Sequence, residues 1–131
     1  MKVVIVGGVA GGATAAARIR RLNEQAEIVV FERSGYISYA NCGLPYYIGD
    51  AITDPEELTL QTPESFFSRF RIMMKVLHEV TAIHHDRKTV SVRNLKTGEE
   101  FEEGYDKLIL SPGAKPTQPK LSGMEADKLF T

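Results

Sequence analysis

The chain has 131 residues, 43% of them hydrophobic, so it is long enough to bury the core of one ordinary domain. Sixteen Lys and Arg residues against seventeen Asp and Glu residues leave a formal net charge of -1, which offers no bulk attraction to nucleic acid or to an anionic membrane. The single cysteine excludes an internal disulfide framework and predicts a reducing, cytoplasmic compartment. No apolar stretch reaches the roughly 18 residues that a membrane-spanning helix needs.

The beginning of the chain predicts a βαβ unit. The β-branched run at residues 3–6 is bounded by glycine, as is typical of a strand buried in a parallel sheet. A helical pattern follows from Ala10 to about Leu22, and residues 28–31 predict a second buried strand. Strand, glycine turn, helix and strand within about 30 residues form a βαβ unit, whose crossover is expected to be right-handed.

Two short helices are predicted next. Residues 41–49 favour the first, because Pro45 is tolerated in the first turn of a helix and Gly49 is typical of a helix end. Thr62 is predicted to cap the second helix, which has Pro63 at its first position and continues to about Phe70.

The rest of the chain predicts a small antiparallel layer and one returning strand. From about residue 72 the pattern changes, since Val90 and Val92 alternate with polar neighbours and Thr97-Gly98 offers a hairpin turn. Residues 107–110 predict one more buried strand. Two initial parallel strands and one later strand make a thin sheet for a doubly wound domain, and the last residues begin an element without finishing it. We therefore expect the chain to be part of a longer protein.

The turn after the first strand has the composition of a dinucleotide-binding loop. Such a loop needs glycine for the tight turn and again where the helix packs on the strand, and Gly7 and Gly12 fill these two places. Val9 occupies the middle place, so the strict pattern is broken, although Gly8 and Gly11 keep the turn permissive.

Glu32 strengthens this interpretation because it closes the second strand, where a carboxylate can accept hydrogen bonds from both ribose hydroxyls of a dinucleotide. The alternative is a glycine-rich turn with an ordinary surface glutamate.

Cys42 is the candidate catalytic residue. It lies at the predicted start of a helix, where unpaired backbone N–H groups and the helix dipole favour a thiolate. Ser38 and Asn41 supply polar groups beside it, and a loop after the second strand lies over the cofactor crevice. The alternative is a buried, inert cysteine that acts as a small hydrophobic residue.

These motifs resemble a known family. The segments 38–46 and 2–21 are similar to coenzyme A disulfide reductases and NADH-dependent persulfide reductases, which are FAD-dependent pyridine nucleotide-disulfide oxidoreductases of the single-cysteine class. Residues 62–66, 79–80 and 110–114 resemble later FAD-contacting segments of that family. The cysteine motif is the specific part, because many flavoproteins share the glycine turn.

The resemblance implies an α/β, Rossmann-like FAD-binding domain with a small antiparallel β layer, of which residues 1–131 are the N-terminal portion. The resemblance also implies that the NAD(P)H-binding and dimerisation domains lie outside this chain and that the full-length protein is a homodimer. The implied cofactor-binding residues are Gly7, Gly8, Val9, Ala10, Gly11, Gly12, Glu32, Arg33, Ser38, Asn41, Val80, Ser111 and Gly113. Those implied to face coenzyme A are Ala10, Arg18, Arg21, Ser38, Asn41 and Cys42.

The implied reaction uses one protein sulfur. NAD(P)H reduces FAD, two electrons pass to Cys42, and its thiolate attacks an external disulfide, persulfide or polysulfide. Because a two-electron dithiol cycle needs two sulfurs, the second is expected to come from coenzyme A, which forms a mixed disulfide with Cys42. The chain by itself is expected to be inactive.

Several alternatives stay open. An NADH oxidase or peroxidase would cycle Cys42 through sulfenic acid, but that branch typically has histidine at the position of Ala10, so the resemblance favours the disulfide or persulfide branch. A plain NAD-binding dehydrogenase unit and a non-catalytic dinucleotide-binding fragment are further possibilities. NADH and NADPH are equally compatible with the sequence.

The remaining basic residues carry weaker signals. Arg18, Arg20 and Arg21 are also explained as a solvated helix end beside its negative pole. His84 and His85 fall in a predicted hairpin turn and His78 in a strand-like run, so we interpret the histidines as structural and predict no metal site.

Overall fold

The computed structural model describes residues 1–115 and 117, which form nine strands and three α-helices. The strands are β1 (Lys2–Val6), β2 (Glu27–Glu32), β3 (Ile37–Tyr39), β4 (Thr59–Gln61), β5 (Met73–Val76), β6 (His78–His84), β7 (Thr89–Asn94), β8 (Glu100–Gly104) and β9 (Lys107–Leu110). The helices are α1 (Ala10–Leu22), α2 (Leu44–Ile48) and α3 (Pro63–Phe70).

A parallel sheet in the order β5-β2-β1-β9 forms the centre of the fold. Side chains alternate between its two faces, so Val3 and Ile5 pack with Ala16 of α1 on one side. Val4 faces the opposite side and packs with Val92 of β7. Burial on both faces explains why β1 and β2 are nearly continuous apolar runs. The predicted α/β fold with an initial βαβ unit is confirmed.

The antiparallel layer consists of β6, β7 and β8, with a register shift between Val80 and Ala82. Its second turn contains Gly98 at a φ of 77°, as the Thr97-Gly98 pair predicted. Lys2 ties this layer to the parallel sheet, since its Nζ lies 2.5 Å from Glu103 and 2.9 Å from Glu27. The hydrogen bonds to Glu103 and then to Glu27 raise the pKa of Lys2.

The two predicted short helices are confirmed. Asn41–Gly43 form a single 3-10 turn that leads into α2, whose C-cap is Gly49. In α3 the Thr62 hydroxyl accepts from the Ser65 backbone N–H, and the Ser65 hydroxyl accepts from the Thr62 N–H in return.

Two expectations about the parallel sheet are wrong. The sheet is not thin, because β5 pairs in parallel with β2 and brings it to four strands. Leu77, at a φ of 55°, separates β5 from β6, so one residue divides a strand of the parallel sheet from a strand of the antiparallel layer. In addition, β9 is not buried: it pairs with β1 at the sheet edge, and Leu110 is 55% exposed. The paired strands β3 and β4 were not predicted.

No helix within the described residues combines the length and apolar character that crossing a membrane requires.

Candidate cofactor groove and cysteine site

The glycine turn between β1 and α1 depends on close backbone packing. Gly7 has a φ of 94°, and its N–H donates to the carbonyl oxygen of Phe31 at 2.8 Å. A Cβ at Gly7 would overlap the carbonyl oxygen of Ser111, and a Cβ at Gly12 would overlap that of Gly7. The tight turn and the close helix packing that a dinucleotide loop requires are therefore both present, although Val9 interrupts the strict motif.

Glu32 is a buried carboxylate at the end of β2, with an exposed fraction of 7%. Its Oε2 accepts from the Gly8 N–H at 2.7 Å and its Oε1 accepts from the Ser34 N–H at 2.8 Å. Each oxygen has further lone-pair capacity, so the carboxylate can hold the glycine turn and also accept from ribose hydroxyls. The contact with Ser34 was not predicted.

The N-terminus of α1 has the features of an anion site. Among the described residues, Val9 caps this helix without a side-chain hydrogen bond, and the first turn holds no acidic side chain. The Ala13 N–H donates to the Val9 carbonyl, so the earlier N–H groups of the helix precede the first intrahelical bond. Unpaired N–H groups and the positive end of the helix dipole bind phosphate, which fits the pyrophosphate of FAD.

A cavity of about 550 Å³ extends from this turn. The predicted cofactor residues that line it are Val9, Ala10, Gly11, Glu32, Arg33, Asn41, Ser111 and Gly113. A smaller cavity of about 120 Å³ shares Glu32 and Arg33 with it and is lined by Val80. The structure thus places most of the predicted cofactor residues along one groove.

Cys42 is exposed and lies in the 3-10 turn before α2, a helix of only five residues. It lines a cavity of about 490 Å³ together with Ser38 and Asn41, as predicted. This cavity shares four lining residues with the 550 Å³ groove. They are Val9, Ala10, Tyr39 and Asn41. The cysteine cavity and the cofactor groove are therefore adjacent.

Ser38 links the cysteine segment to the glycine turn. Its backbone has a φ of 48°, and its N–H donates to the Gly8 carbonyl oxygen at 3.0 Å. A non-glycine residue in this left-handed region is uncommon and is often found where a site requires a particular side-chain position. Further along, the Ala40 N–H donates to the Leu58 carbonyl at 2.8 Å, which ties the segment down beside Cys42.

The candidate coenzyme A residues are only partly brought together. From the Cys42 cavity, a space of about 260 Å³ continues along α1 past Thr14 to Arg21, and another of about 400 Å³ continues beyond it. Arg21 lines both of these spaces. Arg18 is exposed on the same helix and is not among the described residues that line these spaces.

Sequence reasoning missed two further cations at this end. Arg69 and Arg71 line the 400 Å³ space with Arg20 and Arg21. Their position at the end of a predicted helix is a recognisable signal, but the sequence does not show that α3 ends beside α1. Arg20 is not part of a solvated helix end, because its side chain is half-buried and hydrogen-bonded within the protein.

Two of the histidines form hydrogen bonds, one to the end of β5 in the parallel sheet and one within the antiparallel layer. His78 Nδ1 lies 2.7 Å from the Val76 carbonyl oxygen, and His84 Nε2 lies 2.8 Å from Ser91 Oγ. Among the described residues, no group of three or more His, Cys, Asp or Glu side chains could hold a metal ion.

Comparison with known proteins identifies the family. A family model described as pyridine nucleotide-disulphide oxidoreductase matches residues 1–131. The chain belongs to this family. Coenzyme A disulfide reductase of Staphylococcus aureus (strain bovine RF122 / ET3-1) is 52% identical over 130 residues, which cover 99% of this chain and 29% of that relative.

Two solved structures are similar over the same segment. Reduced Bacillus anthracis CoADR-RHD has a TM-score of 0.90 and 54% identity, with 95% of this chain and 22% of that chain covered. The NAD-dependent persulfide reductase from A. fulgidus has a TM-score of 0.90 and 38% identity, with 97% of this chain and 24% of that chain covered. The resemblance inferred from the cysteine motif is confirmed, and this chain spans less than a third of the length of each of these relatives.

Proposed function

We propose that this chain is the N-terminal portion of the FAD-binding domain of an NAD(P)H oxidoreductase that reduces coenzyme A disulfide through Cys42. The observation that carries the proposal is the shared wall between the Cys42 cavity and the groove of the glycine turn. A reactive sulfur next to a dinucleotide groove is the arrangement that electron transfer between a flavin and a disulfide requires. The names of the similar proteins support coenzyme A disulfide and persulfide as substrate classes.

The chain's own residues fit the ADP part of FAD. Glu32 would accept hydrogen bonds from the ribose hydroxyls, and the first turn of α1 would hold the pyrophosphate. The 120 Å³ cavity lined by Val80 would receive the adenine, because it continues from Glu32 and Arg33. Bound FAD would supply the two-electron transfer between NAD(P)H and sulfur.

Cys42 performs the sulfur chemistry. Its thiolate attacks one sulfur of coenzyme A disulfide, the substrate S–S bond breaks, and one coenzyme A thiolate leaves and takes a proton from solvent. The new bond joins Cys42 Sγ to the second coenzyme A. Two electrons that originate from NAD(P)H then cleave this mixed disulfide, which returns the Cys42 thiolate and releases the second coenzyme A.

The substrate lies along α1 in this proposal. Ala10, Ser38 and Asn41 contact its thiol end near Cys42, because they share that cavity. The phosphates lie at the other end, where Arg21 is exposed, and Arg18 stands on the adjacent turn of the helix. We also propose that the complete protein is a cytoplasmic homodimer, in keeping with the single cysteine and the resemblance.

The experiment compares the complete native protein with its Cys42→Ser variant. The native protein is expected to purify yellow with bound FAD and to consume coenzyme A disulfide with NADH or NADPH. The variant is expected to keep its flavin and its stopped-flow reduction by NAD(P)H but to lose disulfide reduction, since a serine hydroxyl cannot form a sulfur–sulfur bond.

Other results would contradict the proposal. Consumption of coenzyme A disulfide at the native rate by the Cys42→Ser variant would exclude the single-cysteine mechanism. Turnover with oxygen or peroxide, and none with coenzyme A disulfide, would select the oxidase or peroxidase alternative. Persulfide reduction without coenzyme A disulfide reduction would keep Cys42 as the reacting sulfur but change the substrate.

A further inference from the structure

We propose that Arg20 is a positioning residue for the phosphate end of the substrate and does not itself contact the substrate. It holds the carbonyl oxygens at two adjoining helix ends, so that Arg69 and Arg71 stand beside Arg21 as one anion-binding group. This inference rests on the proposed function, because it assigns the recognition of the coenzyme A phosphates to the 400 Å³ space.

The hydrogen bonds of Arg20 use almost its whole guanidinium. Nε donates to the carbonyl of Phe70 at 2.7 Å, and Nη2 donates to that of Arg71 at 2.9 Å. Nη1 donates to the carbonyl of Glu24 at 2.6 Å and to that of Asn23 at 3.3 Å. Four of the five N–H donors of an arginine are thus engaged, and the half-buried side chain is occupied within the protein.

These bonds change the electrostatics of the cavity end. Both α1 and α3 end here, and the last carbonyl oxygens of a helix form its negative pole, which repels phosphate. Arg20 binds carbonyl oxygens at the C-terminal ends of both helices. The 400 Å³ space is also lined by Glu24, but the exposed guanidinium groups of Arg21, Arg69 and Arg71 outnumber this one carboxylate and can then dominate the potential.

The backbone of Arg71 has a conformation that hydrogen bonds must stabilise. It caps α3 at a φ of 53°, a left-handed conformation that favours glycine. Its N–H donates to the Phe67 carbonyl at 2.8 Å, and its own carbonyl is bound by Arg20. The Arg71 guanidinium lies 5.8 Å from the Phe67 ring centroid, and that of Arg69 lies 5.1 Å from the centroid of Phe70. The two exposed cations therefore depend on a backbone turn that Arg20 fixes.

The kinetic test uses two disulfides that differ only at the phosphate end. Coenzyme A disulfide carries phosphorylated adenosine, whereas pantethine has the same pantetheine arm without it. In the complete protein, Arg20→Lys keeps the charge but cannot bind four carbonyls. It is expected to raise the KM for coenzyme A disulfide about tenfold and to leave kcat and the KM for pantethine unchanged. The control Arg93→Lys, in the antiparallel layer, is expected to change neither KM.

If Arg20→Lys only disturbs the structure in general, the kinetic constants for coenzyme A disulfide and for pantethine are expected to worsen together. That result would overturn the inference. If Arg20→Lys does not fold, the Arg69→Ala/Arg71→Gly double variant tests the inference, because it removes the two cations that Arg20 is proposed to position. Glycine is chosen at position 71 because it suits the left-handed cap. It is expected to raise the KM for coenzyme A disulfide alone. An unchanged KM in this variant would leave Arg20 with no cation to position and would also overturn the inference.

A binding measurement separates this inference from the proposed function. Calorimetric titration of the native protein with adenosine 3′,5′-bisphosphate requires no turnover. Binding by the native protein that falls about tenfold in Arg20→Lys supports the positioning role, even if coenzyme A disulfide is not reduced and the proposed function fails. Equal binding by both proteins, or no binding by the native protein, contradicts the positioning role.

Discussion

The glycine turn and the cysteine segment are adjacent in space but are built in opposite ways. In the turn, Gly7 and Gly12 approach other backbone atoms so closely that a Cβ would overlap them, and buried Glu32 bonds two backbone amides. In the cysteine segment, Cys42 is exposed, and its importance lies in one sulfur atom. Substitutions in the turn are therefore expected to act on folding and cofactor binding, whereas substitution of Cys42 is expected to act on chemistry alone.

The largest effect on stability is expected for Gly12→Ala. The added Cβ would overlap the Gly7 carbonyl, and backbone atoms cannot move aside as a flexible side chain can. We expect a loss of about 3 kcal/mol or more in the free energy of unfolding, with loss of FAD binding. The matched control is Gly35→Ala, where a Cβ meets nothing within 4 Å. Urea unfolding of both variants checks this, and equal midpoints would show that the turn is not tightly packed.

The next effect is expected for Glu32→Gln. A glutamine has one acceptor oxygen, so the N–H groups of Gly8 and Ser34 cannot both keep their partners. FAD affinity is expected to fall by about 1.5–3 kcal/mol because charged hydrogen bonds are lost. Glu24→Gln, at an exposed position, is the control. A flavin titration that gives the native Kd for Glu32→Gln would remove Glu32 from the ribose site.

A smaller effect, confined to one substrate, is expected for Arg21→Ala. Arg21 lines the 260 Å³ space that continues along α1 from the Cys42 cavity. Loss of one guanidinium contact to phosphate is expected to raise the KM for coenzyme A disulfide about tenfold and to leave that for NAD(P)H unchanged. Steady-state kinetics with each substrate varied in turn measures both constants. If neither constant changes, Arg21 is an ordinary solvated residue of the helix end.

The smallest effect is expected for Lys2→Met, which tests the tie between the two sheets. The pKa of Lys2 is raised in the folded protein, so its ion pairs stabilise the fold below the ordinary lysine pKa of about 10.4 and cease to do so as the pH rises through the raised value. Because the group is partly exposed, we expect less than about 1 kcal/mol at pH 7.

Denaturant unfolding between pH 7 and pH 11 checks this prediction. The difference in the free energy of unfolding between the native protein and Lys2→Met is expected to begin to shrink as the pH rises above about 10.4. The exposed Lys96→Met serves as the control for removal of a positive charge. A difference in the free energy of unfolding that does not shrink at all over this pH range would mean that the charge of Lys2 does not contribute to it.

The parts of the fold that could be predicted depend on signals within a few residues. The apolar run of β1, the glycine turn and the cap at Thr62 each specify their own backbone. By contrast, β5 could not be assigned to its sheet, because its partner is β2, far away in sequence, and one residue separates it from β6. Three-residue strands such as β3 and β4 are too short to show a period.

The candidate site divides in the same way. The glycine turn and the Cys42 segment could be read locally, and the structure places them on adjacent cavities. The role of Arg20 could not be read, since it binds carbonyls of Phe70 and Arg71, which only the packing of α1 against α3 brings near. Residues that act through distant backbone atoms carry no local pattern, whereas glycines and reactive thiols do.

The most direct test of the account is whether Cys42 takes up coenzyme A. The complete native protein is treated with coenzyme A disulfide without NAD(P)H, and intact mass is measured before and after a reductant. Cys42→Ser is treated in parallel. We predict one coenzyme A in disulfide linkage on the native protein, released by the reductant, and none on the variant. A native protein that carries no coenzyme A before the reductant is added, or a variant that carries as much, would contradict the single-cysteine mechanism.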